Sequence, residues 1–263
     1  MPTNKQRREA AQRRLQRQLE RREQLARRRR RNLLVLVSAI AVLVVVGAAV
    51  LITGVVGGDD DAGTAAGASP VVDGSDGTCD FTPQPAANPD ATDVGIPPAE
   101  VPTSGTTQLT MTTNVGDIGL TLDQAAAPCA AASFVYLTQQ GFFDGTPCHR
   151  LTDSPGLKVL QCGDPSGTGG GGPTYEFPTQ VTGDETYPRG TLAMANAGDG
   201  FDGSQFFLVH GDSQLRPDFT VVGTIDEAGL ATLDTIAANG IADGAADGAP
   251  AQPVTIESMA IAR

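Results

Sequence analysis

Histidine is scarce in this 263-residue chain, which contains only His149 and His210. The four cysteines include no CxxC pair. Zinc sites draw most of their ligands from closely spaced cysteine and histidine residues. We therefore expect no metal site.

Of two common motifs, one is missing and the other lacks its structural context. No GxSxG segment is present, and neither Ser204 nor Ser213 has a supporting spacing to a histidine, which argues against serine-hydrolase chemistry. Residues 167–172 formally match GxGxxG, but a dinucleotide site needs that loop immediately before a helix. Pro173 and Pro178 follow here, without helical periodicity. We therefore expect neither hydrolase chemistry nor nucleotide binding.

Basic residues become rare after residue 31. Thirteen of the 18 Lys and Arg, but only three of the 30 Asp and Glu, lie in residues 1–32, so this arm carries +10 and the rest of the chain −22. The arm has no aromatic side chains, which argues against nucleic-acid binding. We interpret it as a solvated, cytoplasmic positive-inside determinant; a helix lying on anionic lipid head groups is the alternative.

Polar residues are nearly absent from Leu33 to Val56, where Ser38 and Thr53 are the only residues among 24 that are neither apolar nor glycine. At about 1.5 Å per residue, a helix of this length crosses the roughly 30 Å hydrocarbon core of a bilayer. A cleaved signal peptide, whose apolar core has about 7 to 15 residues, fits less well. We predict a single-pass protein of the cell membrane, with a cytoplasmic N-terminus and an extracytoplasmic domain beyond Gly57.

The four cysteines, at positions 79, 129, 148 and 162, all lie beyond this predicted span. An even number of cysteines in an oxidising compartment indicates up to two disulfides, and all three connectivities stay open. We expect at least one disulfide.

Aromatic residues are rare in residues 57–106, where Phe81 is the only one among many Gly, Ala, Asp and Pro. Such a composition buries too little apolar surface to offset the entropy lost on ordering. We interpret this stretch as a spacer, with Cys79 as a candidate tie to a folded domain at residues 107–263.

The remaining sequence contains many short strand-like segments and two helical ones. Residues 109–113 and 118–122 predict a hairpin. Helices are predicted from Pro128 to Gln140, before Gly141, and from Glu227 to about Asn239, after Asp226 as the N-cap. Further strands are predicted within 148–151, 158–161, 190–196, 205–209, 219–224 and 254–261. The pattern indicates a mainly β domain, a closed antiparallel barrel with a helix at each end.

Four polar residues are embedded in otherwise apolar strands, namely Arg150, Gln161, Asn196 and Gln205. Arg150 is unusual because only five basic residues follow residue 31. Taken alone, the pattern favours structural roles. These would be an ion pair between Arg150 and a nearby acid, and edge hydrogen bonds for the glutamines.

Five ordered blocks resemble the cyclophilins. They are GFFDGTPCHR at 141–150, QCGDP at 161–165, the glycine-rich 167–172, RGTLAMANAG at 189–198 and GSQFF at 203–207. The resemblance covers residues 109–263, and the whole layout looks most like the membrane-anchored cyclophilins of actinobacteria. It implies a closed eight-stranded antiparallel barrel capped by two helices, and a peptidyl-prolyl cis-trans isomerase that needs no cofactor.

The resemblance also implies residue roles. Arg150 and Gln161 would be catalytic, and the substrate would contact Val159, Ala195, Asn196, Gln205, Phe207, Leu215 and Phe219. Amide resonance sets a barrier of about 18–20 kcal/mol to rotation about a peptide bond. A guanidinium that donates to the prolyl nitrogen as it pyramidalises would favour the twisted state over both planar states.

Three residues depart from the pattern of the family. Lys158 stands near the usual place of an aromatic pocket residue, and Phe219 stands where a histidine is common. Gln214 replaces a tryptophan that often contacts cyclosporin. We therefore expect weak cyclosporin binding.

We predict an isomerase that binds proline-containing segments of exported proteins and assists their folding at the outer face of the membrane. The alternative, motivated by Lys158, is a non-catalytic proline-peptide-binding or chaperone module of the same fold. A structural role as a cell-envelope scaffold is a third reading.

Overall fold

The computed structural model describes residues 74–84, 88–198 and 200–262, all within the compact unit Ala68–Arg263. The predicted basic arm and the predicted membrane span from Leu33 to Val56 lie outside these residues. Among the described residues, no helix is both long and apolar enough to cross a membrane.

The described part of the chain is mainly β, as predicted, with fourteen strands and two α-helices. The strands are β1 (Thr82–Pro83), β2 (Ala91–Thr92), β3 (Thr106–Thr113), β4 (Asp117–Asp123), β5 (Thr146–Pro147), β6 (Arg150–Thr152), β7 (Lys158–Cys162), β8 (Gly172–Pro173), β9 (Tyr175–Pro178), β10 (Thr191–Asn196), β11 (Phe201–Gly211), β12 (Val221–Ile225), β13 (Asp247–Gly248) and β14 (Thr255–Ile261). The helices are α1 (Pro128–Gln139) and α2 (Glu227–Ala238), and a 3-10 turn spans Ala242–Gly244.

Both predicted helices are confirmed, and each ends one residue before the predicted end. α1 begins at Pro128, whose fixed φ suits the first helical position. α2 is capped by Asp226, whose carboxylate accepts a 2.6 Å hydrogen bond from the backbone N–H of Gly229. The glycines that follow, Gly141 and Gly240, adopt φ of 65° and 79°, a conformation that ends a helix at little steric cost.

The eight predicted strand segments all overlap observed strands. The hairpin β3–β4 shows why: buried and exposed positions alternate along both strands, so Leu109 and Met111 face the core. The six strands that we did not predict have four residues or fewer, too short for a detectable period.

One antiparallel sheet contains twelve of the described strands, in the order β13-β6-β7-β11-β10-β12-β4-β3-β14-β5, with β9 pairing β11 and β1. This order has two ends, β13 and β5, so the closed eight-stranded barrel that we predicted is not confirmed. The strand count exceeds eight because the two-residue strands β1, β5 and β13 and the four-residue β9 extend the sheet.

The central strands separate a large core from a smaller apolar cluster. Residues such as Leu160, Phe206 and Leu208 belong to the core, whereas the alternate residues Val159 and Phe207 belong to the smaller cluster. This separation follows from the two-residue period of a strand, and it leaves the second face available for a site.

The described part of the predicted spacer packs on this domain, which differs from the character that we expected for it. Cys79 forms a disulfide with Cys129 of α1. Phe81 is buried with its ring edge-on to Tyr175 and Phe177. A covalent tie and one buried aromatic ring thus compensate for the low apolar content of the segment.

The second pair, Cys148 with Cys162, bridges the start of the β6–β7 hairpin. Our expectation of at least one disulfide is confirmed.

Candidate active site

A row of register partners crosses five neighbouring strands on the face opposite the main core. Arg150 on β6 pairs with Gln161 on β7, and Gln161 pairs with Phe207 on β11. Phe207 pairs with Ala193 on β10, which pairs with Val221 on β12. Because directly paired residues point to the same face, this row brings a cation, an amide and an apolar ring side by side.

Arg150 is held by two partners. Its Nε and Nη2 atoms donate to the two carboxylate oxygens of Asp247 at 2.8 and 2.7 Å, and its Nη1 donates to Oε1 of Gln161 at 3.2 Å. A two-point arginine–carboxylate pair fixes the plane of the guanidinium as well as its position. The side chain stays 38% exposed, so a peptide can still reach it.

The charges in this pair stabilise each other. Donating to the carboxylate of Asp247 raises the pKa of Arg150, and accepting the hydrogen bonds of Arg150 lowers the pKa of Asp247 below its ordinary value of 3.8. Both groups are therefore charged over the whole neutral range.

A chain of amides continues from Arg150 to the glycine-rich loop at 167–172. Gln161 donates from Nε2 to Oε1 of Gln205 at 2.8 Å, and Gln205 donates to the carbonyls of Gly169 and Gly171, both at 3.0 Å. Each amide thus has a defined orientation, set by the arginine donor at one end. The glycine-rich loop serves here as a backbone acceptor.

An apolar cluster lies beside the polar chain, and it is the candidate proline pocket, called the Phe207 pocket below. Its buried members are Val159, Tyr187, Ala193, Phe207 and Val209, and partly buried residues pack against them, including Leu157, Ala195, Leu215 and Phe219. The rings of Phe207 and Phe219 meet edge to face with centroids 5.5 Å apart, a favourable arrangement for aromatic pairs.

Tyr187 fixes one wall of this pocket. Its hydroxyl donates to the carbonyl of Phe219 and accepts from the backbone N–H of the same residue, both at 3.0 Å. Phe219 is thereby held in an irregular segment that has no ladder hydrogen bonds of its own. Sequence reasoning did not identify Tyr187 as a site residue, because its contact with Phe219, 32 residues further along the chain, carries no sequence signal.

Asn196 closes the pocket at the end of β10. Its Nδ2 donates to the carbonyl of Asp218 at 2.9 Å, and its Oδ1 accepts from the N–H of Gly198 at 3.0 Å. Asn196 therefore links the end of β10 to the segment that carries Phe219. Of the predicted site residues, Arg150, Gln161 and Gln205 are joined by hydrogen bonds, and Val159, Ala195, Leu215 and Phe219 belong to one apolar cluster with Phe207. Asn196 lies at the end of β10, and the individual roles stay predictions.

Lys158 does not contribute its charged group to the pocket. Its ammonium forms an ion pair with Asp153, whereas its neighbour Leu157 packs against the pocket cluster. Arg150 and Gln161 are direct register partners across the β6–β7 hairpin. The sequence-based motive for a non-catalytic protein is therefore weakened.

Asp247 is the second site residue that sequence reasoning missed. It lies 97 residues from Arg150, in a Gly- and Ala-rich segment with several other acids. The general expectation of an ion pair for Arg150 is confirmed, but no sequence signal distinguished Asp247 from its neighbours.

A cavity of about 320 Å³ adjoins the polar chain. Gln161, Gln205, Ala195 and Asn196 contribute to its lining, so it is continuous with the predicted site.

Comparison with known proteins places this geometry in a family. Residues 108–261 match the family of cyclophilin type peptidyl-prolyl cis-trans isomerase/CLD. The probable peptidyl-prolyl cis-trans isomerase B of Mycobacterium leprae is 53% identical over 189 residues, covering 66% of this chain and 64% of that protein. Its counterpart from Mycobacterium tuberculosis is 48% identical over 200 residues, covering 69% and 63%. The matched part thus spans just under two thirds of these relatives.

A solved structure gives the same result for the fold. The cyclophilin type isomerase of Cryptosporidium parvum superposes with a TM-score of 0.53 at 27% identity, covering 60% of this chain and 99% of that one. The chain belongs to the cyclophilin-type peptidyl-prolyl cis-trans isomerase family.

Proposed function

We propose that this chain is an active peptidyl-prolyl cis-trans isomerase. The observation that carries the proposal is the row of partners in which Arg150, fixed by Asp247, stands next to Gln161 and the Phe207 pocket. The pocket offers apolar surface to a proline ring, and the guanidinium stands at its polar edge. Family membership supports the same activity.

The chemistry needs no covalent step. As the C–N bond of the prolyl amide twists, resonance is lost and the nitrogen gains a lone pair that can accept a hydrogen bond. Arg150, whose orientation is fixed before the substrate binds, donates to that nitrogen only in the twisted state. Stabilisation that is specific to the transition state lowers the barrier instead of only tightening binding.

The substrates are proline-containing peptide segments. The Cryptosporidium parvum isomerase was crystallised in the presence of the dipeptide Ala-Pro, which is a peptide of this class. Because Gln214 and Phe219 depart from the family's usual residues, cyclosporin binds this chain weakly.

The protein acts on exported proteins at the outer face of the membrane. The proposal is supported by the apolar run from Leu33 to Val56, by the basic arm before it and by the acidic domain after it. Two disulfides in the described residues are compatible with an oxidising compartment.

Isomerisation by the full chain tests the activity. Cis–trans exchange of a proline peptide, followed by NMR, should accelerate with wild type, and Arg150→Ala should lose roughly 10²- to 10³-fold of kcat/KM. Arg189→Ala is the matched control, because Arg189 makes a similar two-point ion pair with Asp234 outside the site.

Two results would overturn the proposal. Equal rates for wild type and Arg150→Ala would remove Arg150 from catalysis. Peptide binding without any acceleration by wild type would select the alternative of a non-catalytic proline-peptide-binding or chaperone module.

Protease accessibility tests the location. In intact cells, an added protease should cleave the domain beyond residue 107 and leave the basic arm intact. Protection of the domain until the cells are lysed would contradict an extracytoplasmic position.

A further inference from the structure

The glycine-rich loop ends the chain of amides that begins at Arg150. The Nε2 atom of Gln205 donates to the carbonyls of Gly169 and Gly171. These two carbonyls set the orientation of the Gln205 amide, whose Oε1 accepts from Gln161. Gln161 in turn accepts from Arg150. The position of the loop therefore affects the orientation of every side chain in this chain of amides.

Residues 88–93 hold the loop from outside the matched family domain, which begins at residue 108. Nδ2 of Asn88 donates to the carbonyl of Gly170 at 2.8 Å. Gly170 stands between the two glycines whose carbonyls bond to Gln205. Oδ1 of Asn88 accepts from the backbone N–H of Asp90 at 3.0 Å, so both ends of the Asn88 amide are bound. Asn88 is thus an oriented donor to the middle of the loop.

Backbone contacts continue this attachment along the segment. In the parallel pair β2–β8, Ala91 is the register partner of Gly172. A β-carbon at Gly171 would lie 2.9 Å from the carbonyl oxygen of Asp90, a distance that a side chain at this position would not tolerate. The segment therefore lies directly against the loop before any peptide binds.

Asp164 holds the same loop from within the family domain. Its carboxylate accepts from the backbone N–H groups of Gly169 and Ser166 at 2.6 and 2.8 Å. The loop thus has two attachments, an inner one on its N–H groups and an outer one on a carbonyl. Loss of the outer attachment should loosen the loop without releasing it, so the effect on the site should be limited in size.

From these contacts we propose that Asn88 is a positioning residue of the isomerase site, which acts on Arg150 through the glycine-rich loop and the chain of amides. The inference rests on the proposed isomerase function, because it assumes that the orientation of Arg150 limits the rate. It assigns to a segment outside the family domain a part in catalysis as well as in packing.

Asn88→Asp removes the donor to Gly170 and keeps the acceptor for the N–H of Asp90. By steady-state NMR exchange with the full chain, kcat should fall by roughly 3- to 10-fold, the range for one lost hydrogen bond, with KM unchanged. Asn88→Ala should give a fall of the same size. This second variant separates the loss of the donor from the added negative charge.

Asn114→Asp is the matched control, because Asn114 makes the same two kinds of contact in the exposed β3–β4 turn. Its Nδ2 donates to the carbonyl of Pro253 at 2.9 Å, and its Oδ1 accepts from the N–H of Thr255 at 2.8 Å. Asn114 does not line the cavity beside the site. The kcat of this variant should match that of wild type.

Hydrogen exchange of the Gln205 side-chain amide, followed by NMR, measures the positioning without any turnover. Both of its acceptors belong to the glycine-rich loop. The amide protons should exchange several-fold faster in Asn88→Asp than in wild type, and at the wild-type rate in Asn114→Asp.

Several results would overturn the proposal. They are an unchanged kcat in Asn88→Asp, a fall that Asn88→Ala does not share, and an equal fall in Asn114→Asp. A rise in KM at constant kcat would also contradict it, because it would assign Asn88, which lines the cavity, to peptide binding. If wild type accelerates no peptide, the proposed function fails. Faster exchange of the Gln205 amide in Asn88→Asp would then support the attachment, and unchanged exchange would contradict it.

Discussion

The guanidinium of Arg150 uses three of its N–H groups before any substrate arrives. Two of them bond to Asp247 and one to Gln161. Such fixed donors avoid the cost of reorientation during the reaction. In the mechanism that we propose, Asp247 is a positioning residue, since its carboxylate contacts Arg150.

Asp247→Asn should reduce catalysis without reducing binding. The variant keeps one acceptor but loses the second oxygen and the charge, so the guanidinium can shift. We expect kcat to fall by roughly 10- to 100-fold, the effect of displacing a reacting group by up to about 1 Å, with KM unchanged. Steady-state NMR exchange at several peptide concentrations separates the two constants.

Asp234→Asn controls for the general effect of breaking a surface arginine pair, because Asp234 also accepts two hydrogen bonds from one arginine, Arg189. Its kcat should match that of wild type. A rise in KM with constant kcat for Asp247→Asn would instead assign Asp247 to peptide binding.

His210 makes stability depend on pH above the range where carboxylates titrate. Burial is the main cause that lowers the pKa of His210 below 6.5. The hydrogen bond to the carbonyl of Thr152 and the charge of Asp153 raise this pKa, and the charges of Lys158 and Arg189 lower it. Burial also lowers the pKa of His149. As pH falls below 6.5, both histidines become protonated in the unfolded chain before they do so in the folded protein. The free energy of unfolding therefore decreases.

His210→Gln should flatten this dependence. Each histidine contributes at most about 1.4 kcal/mol per pH unit to the slope, and glutamine cannot take up the proton. Urea unfolding between pH 6.5 and pH 5 should therefore show a smaller loss of unfolding free energy for the variant. The same slope in the variant and in wild type would show that His210 does not contribute.

Among the elements, the segment that carries β1 and β2 depends most on a single covalent bond. The disulfide between Cys79 and Cys129 closes a loop of 50 residues, whereas that between Cys148 and Cys162 closes a loop of 14. A longer closed loop restricts the unfolded chain more strongly.

Replacing both Cys79 and Cys129 by serine should lower the unfolding free energy by up to about 4 kcal/mol, on the chain-entropy scale. The same replacement of Cys148 and Cys162 should cost up to about 3 kcal/mol. Denaturant unfolding measures both. Detection of four alkylatable thiols in unreduced protein by mass spectrometry would contradict the pairing.

The longer elements could be predicted from the sequence because each carries its own local signal. Alternation around Met111 predicted β3, and Pro128, Asp226 and Gly240 marked helix ends. Two-residue strands such as β5 and β13 carry no period, and their pairing depends on the register of distant strands. The extent of the sheet was therefore beyond sequence reasoning.

The site residues likewise fall into those that the sequence predicted and those that it did not. Arg150, Gln161 and Phe207 were predicted because they lie in ordered blocks that resemble a family. Asp247 and Tyr187 were not, since their roles come from tertiary contacts with Arg150 and Phe219 that no spacing encodes. The sequence showed Phe81 as the one aromatic residue of the spacer and Cys79 as a candidate tie. It did not predict that together they pack this segment against the domain.

The whole molecule combines two opposite charge characters, an arm of +10 and a remainder of −22. In the location that we propose, the arm would fix the orientation of the chain at the membrane. The mechanism that we propose depends on neither of these charges, because it requires the apolar pocket and the oriented guanidinium of Arg150.

The exchange rate of bound proline peptide in Arg150→Lys tests that requirement most directly. Lysine keeps the positive charge but lacks the planar fork that Asp247 and Gln161 orient. By NMR exchange at saturating peptide, we expect cis–trans exchange to fall by roughly 10²- to 10³-fold relative to wild type, with peptide affinity retained. Exchange in Arg150→Lys as fast as in wild type would contradict catalysis by an oriented guanidinium.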